Sequence, residues 1–210
     1  MSLRSSTYPL LKTILIVMGL FGSIHLFSQV SFGLQSTKMR AQYGDICKVG
    51  FGFQVGGRFE LMDKLDGACN LGISQCNAAF DIFPADYDDY KDPMQYVRDF
   101  SIRMTTIEAK LEYEIYKRDR IRFLADLGPY LSIFRHKGTR EYIFPYGDDV
   151  TYLYRVEHFG LSMSVGSEYI INESFSLRLD VSNMIMDKKS DYTKSRLVVF
   201  AGMVINLNAD

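Results

Sequence analysis

The chain alternates between apolar and polar positions over most of its length. Over residues 49–61 (VGFGFQVGGRFEL) the odd positions are Val49, Phe51, Phe53, Val55, Gly57, Phe59 and Leu61. The even ones are Gly50, Gly52, Gln54, Gly56, Arg58 and Glu60. Successive side chains of a strand point to opposite faces, so this period of two predicts a strand with one greasy face and one small or charged face. The split recurs. Residues 107–115 set Ile107, Ala109, Leu111, Tyr113 and Ile115 against Glu108, Lys110, Glu112 and Glu114. Residues 121–133 set Ile121, Phe123, Leu127, Leu131 and Ile133 against Arg122, Asp126 and Ser132. Residues 159–171 set Phe159, Leu161, Met163, Val165, Tyr169 and Ile171 against Ser162, Ser164, Gly166 and Glu168. Residues 175–185 set Phe175, Leu177, Leu179, Val181 and Ile185 against Ser176, Arg178, Asp180 and Ser182. The last such segment, 197–207, is apolar on its odd face, while its even face mixes Phe200 and Val204 with Gly202 and Asn206. Segments 30–38 and 68–80 carry weaker versions, which makes eight expected strands.

The links between these segments alternate in length. Tight turns are expected at 62–67, 117–120 and 172–174, and longer links at 43–48, 81–99, 135–157 and 186–194. Short turns at one end and long loops at the other are the arrangement of bacterial outer-membrane barrels. The expected fold is therefore all-β, an eight-stranded antiparallel up-and-down transmembrane β-barrel, with the short-turn end and both termini toward the periplasm.

Periodicity alone does not say which face points inward. Two features favour polar inside and apolar outside. The polar face joins Gly and Ser to charges of both signs: Arg58, Glu60, Glu108, Lys110, Glu112, Arg122, Asp126, Glu168, Arg178, Asp180 and Arg196. An eight-stranded lumen is just wide enough for its own side chains, and such a set fills it as an ion-pair network. On the other face, Phe59, Tyr113, Phe123, Tyr169 and Phe175 gather near the short turns, as an aromatic girdle does at a membrane interface. A soluble ligand-binding barrel with the opposite polarity is the fallback.

The N-terminus adds export. Arg4 and Lys12 precede a charge-free apolar run at 13–27, about the length of a signal-peptide core and short of the roughly 20 residues of a spanning helix. Residues 1–28 are read as a cleaved signal peptide and 29–210 as the barrel domain. Without Arg4 and Lys12 the chain keeps 22 basic and 25 acidic residues, a net charge of −3, which gives no footprint for nucleic acid. Export permits disulfides. Among Cys47, Cys69 and Cys76, folding the hairpin about Lys64 brings Cys47 and Cys76 close enough to be a candidate pair.

At this level the sequence resembles the eight-stranded outer-membrane barrel domain common in Bacteroidota, the porin-family or PorT-like barrels. The resemblance covers about residues 29–207. It rests on the FSQ junction (Phe27 to Gln29), VGFGFQVGGRFEL, LADLGPYLSIF, GLSMSVGSEYII and FSLRLDVSN, in that order. It implies residence in the outer membrane, and some members act in protein secretion or gliding machinery. Such barrels usually end on an aromatic residue, whereas this chain ends Ile205-Asn206-Leu207-Asn208-Ala209-Asp210.

The remaining chemistry is thin. Asp86, Asp88, Asp89 and Asp92, with Asp148 and Asp149, lie in acidic Tyr-rich segments without calcium-loop spacing, so solvated loop charge accounts for them and no metal or cofactor is expected. Tyr-rich segments 81–99 and 135–157 are candidate contacts for envelope or secretion proteins. His158, Ser162, Ser164 and Glu168 invite a hydrolase reading, but four strand residues put His158 about 13 Å from Ser162. The leading expectation is a non-enzymatic barrel in contact with outer-membrane lipid, with a structural or accessory role in secretion or envelope assembly. A narrow porin-like channel is the second reading, and an outer-membrane lipid-modifying enzyme the third.

Overall fold

The computed structural model describes residues 27–41, 44–45, 48–77, 83–84, 95–142, 150–186 and 195–207. Residues 1–26 of the segment read above as a signal peptide, Cys47, and the acidic clusters Asp86 to Asp92 and Asp148–Asp149 lie outside the described residues. Eight strands build the wall: β1 (Gln29–Ala41), β2 (Gly50–Met62), β3 (Leu65–Asn77), β4 (Gln95–Arg118), β5 (Ile121–Tyr142), β6 (Val150–Ile170), β7 (Phe175–Met186) and β8 (Ser195–Asn206). Two-residue pieces at Gly44–Asp45 and Phe83–Pro84 pair with β1 and β4. Each long strand pairs antiparallel with its sequence neighbour, and β1 pairs with β8 from Gln29↔Asn206 to Arg40↔Ser195. That last ladder closes the sheet, so the wall has no edge where it must meet hydrocarbon.

The turns are tight at one end. Asp63–Lys64 and Asp119–Arg120 link their strands in two residues, with Lys64 and Asp119 at positive φ (64° and 50°). At the third turn the Asn172 side chain accepts the amides of Ser174 (3.0 Å) and Phe175 (2.8 Å), a local mimic of a backbone turn. Pro129 in β5 has no N–H to give, and cross-strand pairing lapses between Glu108↔Tyr130 and Leu111↔Leu127 before resuming in the same register. Gly128 beside it is in close approach to the Ala109 carbonyl, a site where a Cβ would collide with backbone.

The polarity is inverted, as expected. Phe51 (72%), Phe53 (69%), Leu34 (62%), Val165 (61%) and Phe159 (61%) are among the most exposed apolar side chains. Glu112 (2%), Glu168 (2%), Arg196 (3%) and Arg58 (5%) are buried. A continuous apolar belt of this kind is far larger than the patches soluble monomers tolerate, and closing the wall puts the polar faces in the lumen.

Three expectations about elements need correction. β3 begins at Leu65, so the expected turn at 62–67 shrinks to two residues. The link expected at 135–157 is largely strand, since β5 continues to Tyr142 and β6 starts at Val150, and β4 reaches into the one expected at 81–99 by starting at Gln95. Outside a bilayer no face has to stay apolar, so the alternation fades there although the ladder continues. Strict odd-outward parity also breaks in β4. A register shift between Glu114 and Tyr116 leaves Ile115 and Tyr116 both exposed.

Candidate functional site

The lumen is the most chemically structured region, and it is layered. Near the short turns, Arg58 of β2 lies 2.8 Å from Glu112 of β4 and 3.1 Å from Glu168 of β6, and reaches Gln29 at 2.6 Å. Arg178 of β7 meets the same Glu112 at 2.5 Å and its own neighbour Asp180 at 2.6 Å. Arg122 pairs with Glu114 at 2.7 Å and lies 3.9 Å from Glu168, which also accepts the Ser176 hydroxyl at 2.5 Å. The midsection is centred on Lys110, which contacts Glu108 (2.9 Å), Asp126 (3.1 Å) and the Ser164 hydroxyl (2.9 Å). Ser164 donates to Asp126 at 2.5 Å and is bonded by Ser182 at 2.9 Å. These charges come from strands far apart in sequence. They meet because every even-numbered side chain of β4 to β7 over this stretch enters the same narrow tube.

A buried charge is tolerated only when paired and hydrogen-bonded, and here nearly every carboxylate faces at least one cation. The cavity beside Arg58, Glu112, Arg178 and Asp180 has a volume of about 20 Å³, room for about one water.

The predicted network is assembled with two departures. Glu60 is exposed at the short-turn end, where β2 shifts register against β3 just before Met62, and it lies outside the tube. Arg196 is inside but makes no ion pair among the described residues. Its guanidinium donates to the Thr106 hydroxyl at 2.8 Å and lies against the sulfurs of Met104 and Met184. One carboxylate was missed: Asp66, 3.9 Å from Arg58, which sits in what reads as a turn in the sequence.

Beyond Arg196 the lumen changes character. Met39, Cys76, Ile102, Met104, Tyr130, Phe134, Met184, Met186 and Val198 form a buried apolar cluster toward the long-strand end. Their inward parity follows the alternation, but their chemistry does not match the polar filling expected. Phe200 and Val204, the apolar members of the even face of β8, lie instead beside Arg58 and Glu112 in the lower lumen. Cys76 is a free thiol in this cluster, and Cys69 is also free. The proposed partner Cys47 lies outside the described residues.

The girdle residues Tyr113, Phe123, Tyr169 and Phe175 all face outward near the short turns, with Phe59 half-buried beside them. Tyr116, carried outward by the register shift, packs its ring 6.3 Å from that of Phe123 and joins them. The His158–Ser pairing is not made. The His158 ring packs 4.8 Å from Phe134, and the Ser164 hydroxyl is committed to Lys110, Asp126 and Ser182.

No family model and no curated protein matches the sequence. Solved structures do. Neisserial surface protein A is similar at 15% identity, with 85% of this chain and 96% of that chain covered and a TM-score of 0.54. The fold is that of an outer-membrane β-barrel. OprG of Pseudomonas aeruginosa is similar at 11% identity over 84% of this chain and 93% of that chain (TM-score 0.53). So is Ail, the attachment invasion locus protein of Yersinia pestis, solved with the heparin analogue sucrose octasulfate, at 12% identity over 84% and 96% (TM-score 0.51).

Proposed function

We propose that this protein resides in the bacterial outer membrane as a non-enzymatic, non-conducting β-barrel with a structural or accessory role, in protein secretion or envelope assembly. The observation that carries this reading is the filled lumen. Arg58 and Arg178 reach across the tube to Glu112 and Glu168 at 2.5–3.1 Å, Lys110 ties β4 to its neighbour β5 through Asp126 at 3.1 Å, and the apolar cluster lies above them in series. An ion crossing the barrel would have to break the first layer and shed its water in the second.

The long-strand end supports an accessory role. β4, β5 and β6 run 24, 22 and 21 residues against 12 or 13 for the other five, so three strands project past the rim as a sheet. Among the described residues, β6 is paired on its β7 side only from Gly160 onward, which leaves the backbone of residues 150–159 able to accept a strand from a partner. The hydroxyls that stand beside carboxylates, Ser164 at Asp126 and Ser176 at Glu168, are buried inside the ion-pair network, which supports a non-enzymatic role.

Planar-bilayer recording of the refolded protein checks the central element. The expected result is a silent bilayer for the wild type. Stable unitary conductance from the wild type would replace this reading with that of a narrow channel.

A further inference from the structure

Three arginines stand side by side on the outer surface of the barrel. Arg103 of β4 is the direct cross-strand partner of Arg135 of β5, and Arg135 is the direct partner of Arg155 of β6. All three side chains are exposed, as is that of Lys137 next along β5. Partners on adjacent strands are about 5 Å apart, so the row packs three guanidinium groups into about 10 Å. Like charges directly opposite each other destabilise a sheet, and little inside the protein offsets them. Arg155 takes Glu157 at 2.6 Å and Arg103 takes only the neutral Gln75 at 3.4 Å. Arg135 has no partner among the described residues. Among the described residues four cations therefore face one carboxylate, in a protein whose overall charge is −1.

The position of the row says what offsets it. On the same outward face the next residues toward the short turns are Thr105 and Ile107 on β4, Ile133 and Leu131 on β5, and Glu157 and then Phe159 on β6, so the apolar belt begins within two side-chain levels of the row. The row sits where the apolar belt ends at the long-strand rim, the level at which outer-leaflet headgroups lie if the barrel spans the membrane as proposed above.

We propose that Arg103, Arg135 and Arg155 form a binding site for the phosphate groups of an outer-leaflet glycolipid headgroup. Guanidinium groups bind phosphate through paired, charge-assisted hydrogen bonds, and a row of three suits a headgroup carrying more than one phosphate. The lipid neutralises the cross-strand repulsion and fixes the depth of the barrel at its outer rim.

The test titrates fluorescent diphosphoryl lipid A into the folded protein in neutral detergent and reads anisotropy. Replacing all three (Arg103→Gln, Arg135→Gln, Arg155→Gln) is expected to weaken binding on the order of a hundredfold, about fivefold per arginine. Dephosphorylated lipid A is expected to bind the wild type as weakly as the phosphorylated form binds the variant. Should the triple variant fail to fold, Arg135→Gln alone is expected to cost about fivefold. Equal binding of both lipids by the wild type, or undiminished binding by the variants, overturns the proposal. So does displacement of the lipid by equimolar inorganic phosphate, which would mark a free-anion site. Heat-modifiable migration of the same samples separates the two levels. A heat-modifiable protein indifferent to the phosphates loses only this site, whereas one without heat-modifiable migration loses the membrane reading and this site together.

Discussion

Glu112 is the most exposed to consequence of any residue in the lumen. It is 2% accessible and receives both Arg58 and Arg178, two guanidinium groups that would otherwise repel each other across the tube. Glu112→Gln removes the charge and leaves the two cations buried with only Glu168 and Asp180 in close contact and Asp66 and Asp126 farther off at 3.8–3.9 Å. Breaking a buried pair from one side typically costs about 3–5 kcal/mol, far more than the net worth of the intact pair. The urea midpoint of the protein folded in lipid vesicles should drop accordingly. Glu60→Gln, on the exposed carboxylate at the short-turn end, should change stability by less than about 0.5 kcal/mol. A Glu112→Gln variant as stable as Glu60→Gln would show that the network does not hold the lumen together. Parity made Glu112, Arg58 and Arg178 legible in the sequence, because each is the charged member of an alternating pair. Asp66 was not legible, since its place beside Arg58 depends on a turn shortened to Asp63–Lys64.

At the level of the strand, the bilayer supplies the signal that the sequence displays. Where hydrocarbon faces the wall, one parity must be apolar, and most strands are readable nearly to the residue at their short-turn ends, β3 with its start at Leu65 excepted. The same logic ranks substitutions by depth. Leu179 points outward from the middle of the β7 ladder, whereas Phe175 opens that strand at the girdle. Leu179→Lys should therefore cost about 2–4 kcal/mol in vesicle-based unfolding, and Phe175→Lys about 0–1 kcal/mol. Similar costs at both positions would mean that no depth-dependent hydrocarbon layer surrounds β7. What the pattern could not show were the extents of β4, β5 and β6 past the belt, because hydrogen bonding of the backbone needs no periodicity of side chains. Nor could it show the register shift at Glu114/Tyr116, which brings an even-numbered tyrosine to the outer face.

In the whole molecule, one closed wall separates three environments: the apolar exterior, an ion-paired lower lumen, and an apolar upper lumen beneath a projecting sheet. The first two were contained in the alternation. The third was hidden because inward parity was equated with polarity, whereas Met104, Met184 and Met186 show that an inward position need only be filled. The central claim is that one parity of each strand, odd-numbered in all but β1, meets lipid and the other meets the packed lumen. A nitroxide scan along residues 175–186, in a cysteine-free background reconstituted in bilayers, tests it by collision with oxygen, which concentrates in hydrocarbon. Accessibility should oscillate with a period of two, high at Leu177, Leu179, Val181 and Ile185 and low at Ser176, Asp180, Ser182 and Met184. The opposite phase, or odd positions reached by a water-soluble relaxant instead of oxygen, would contradict the inverted barrel.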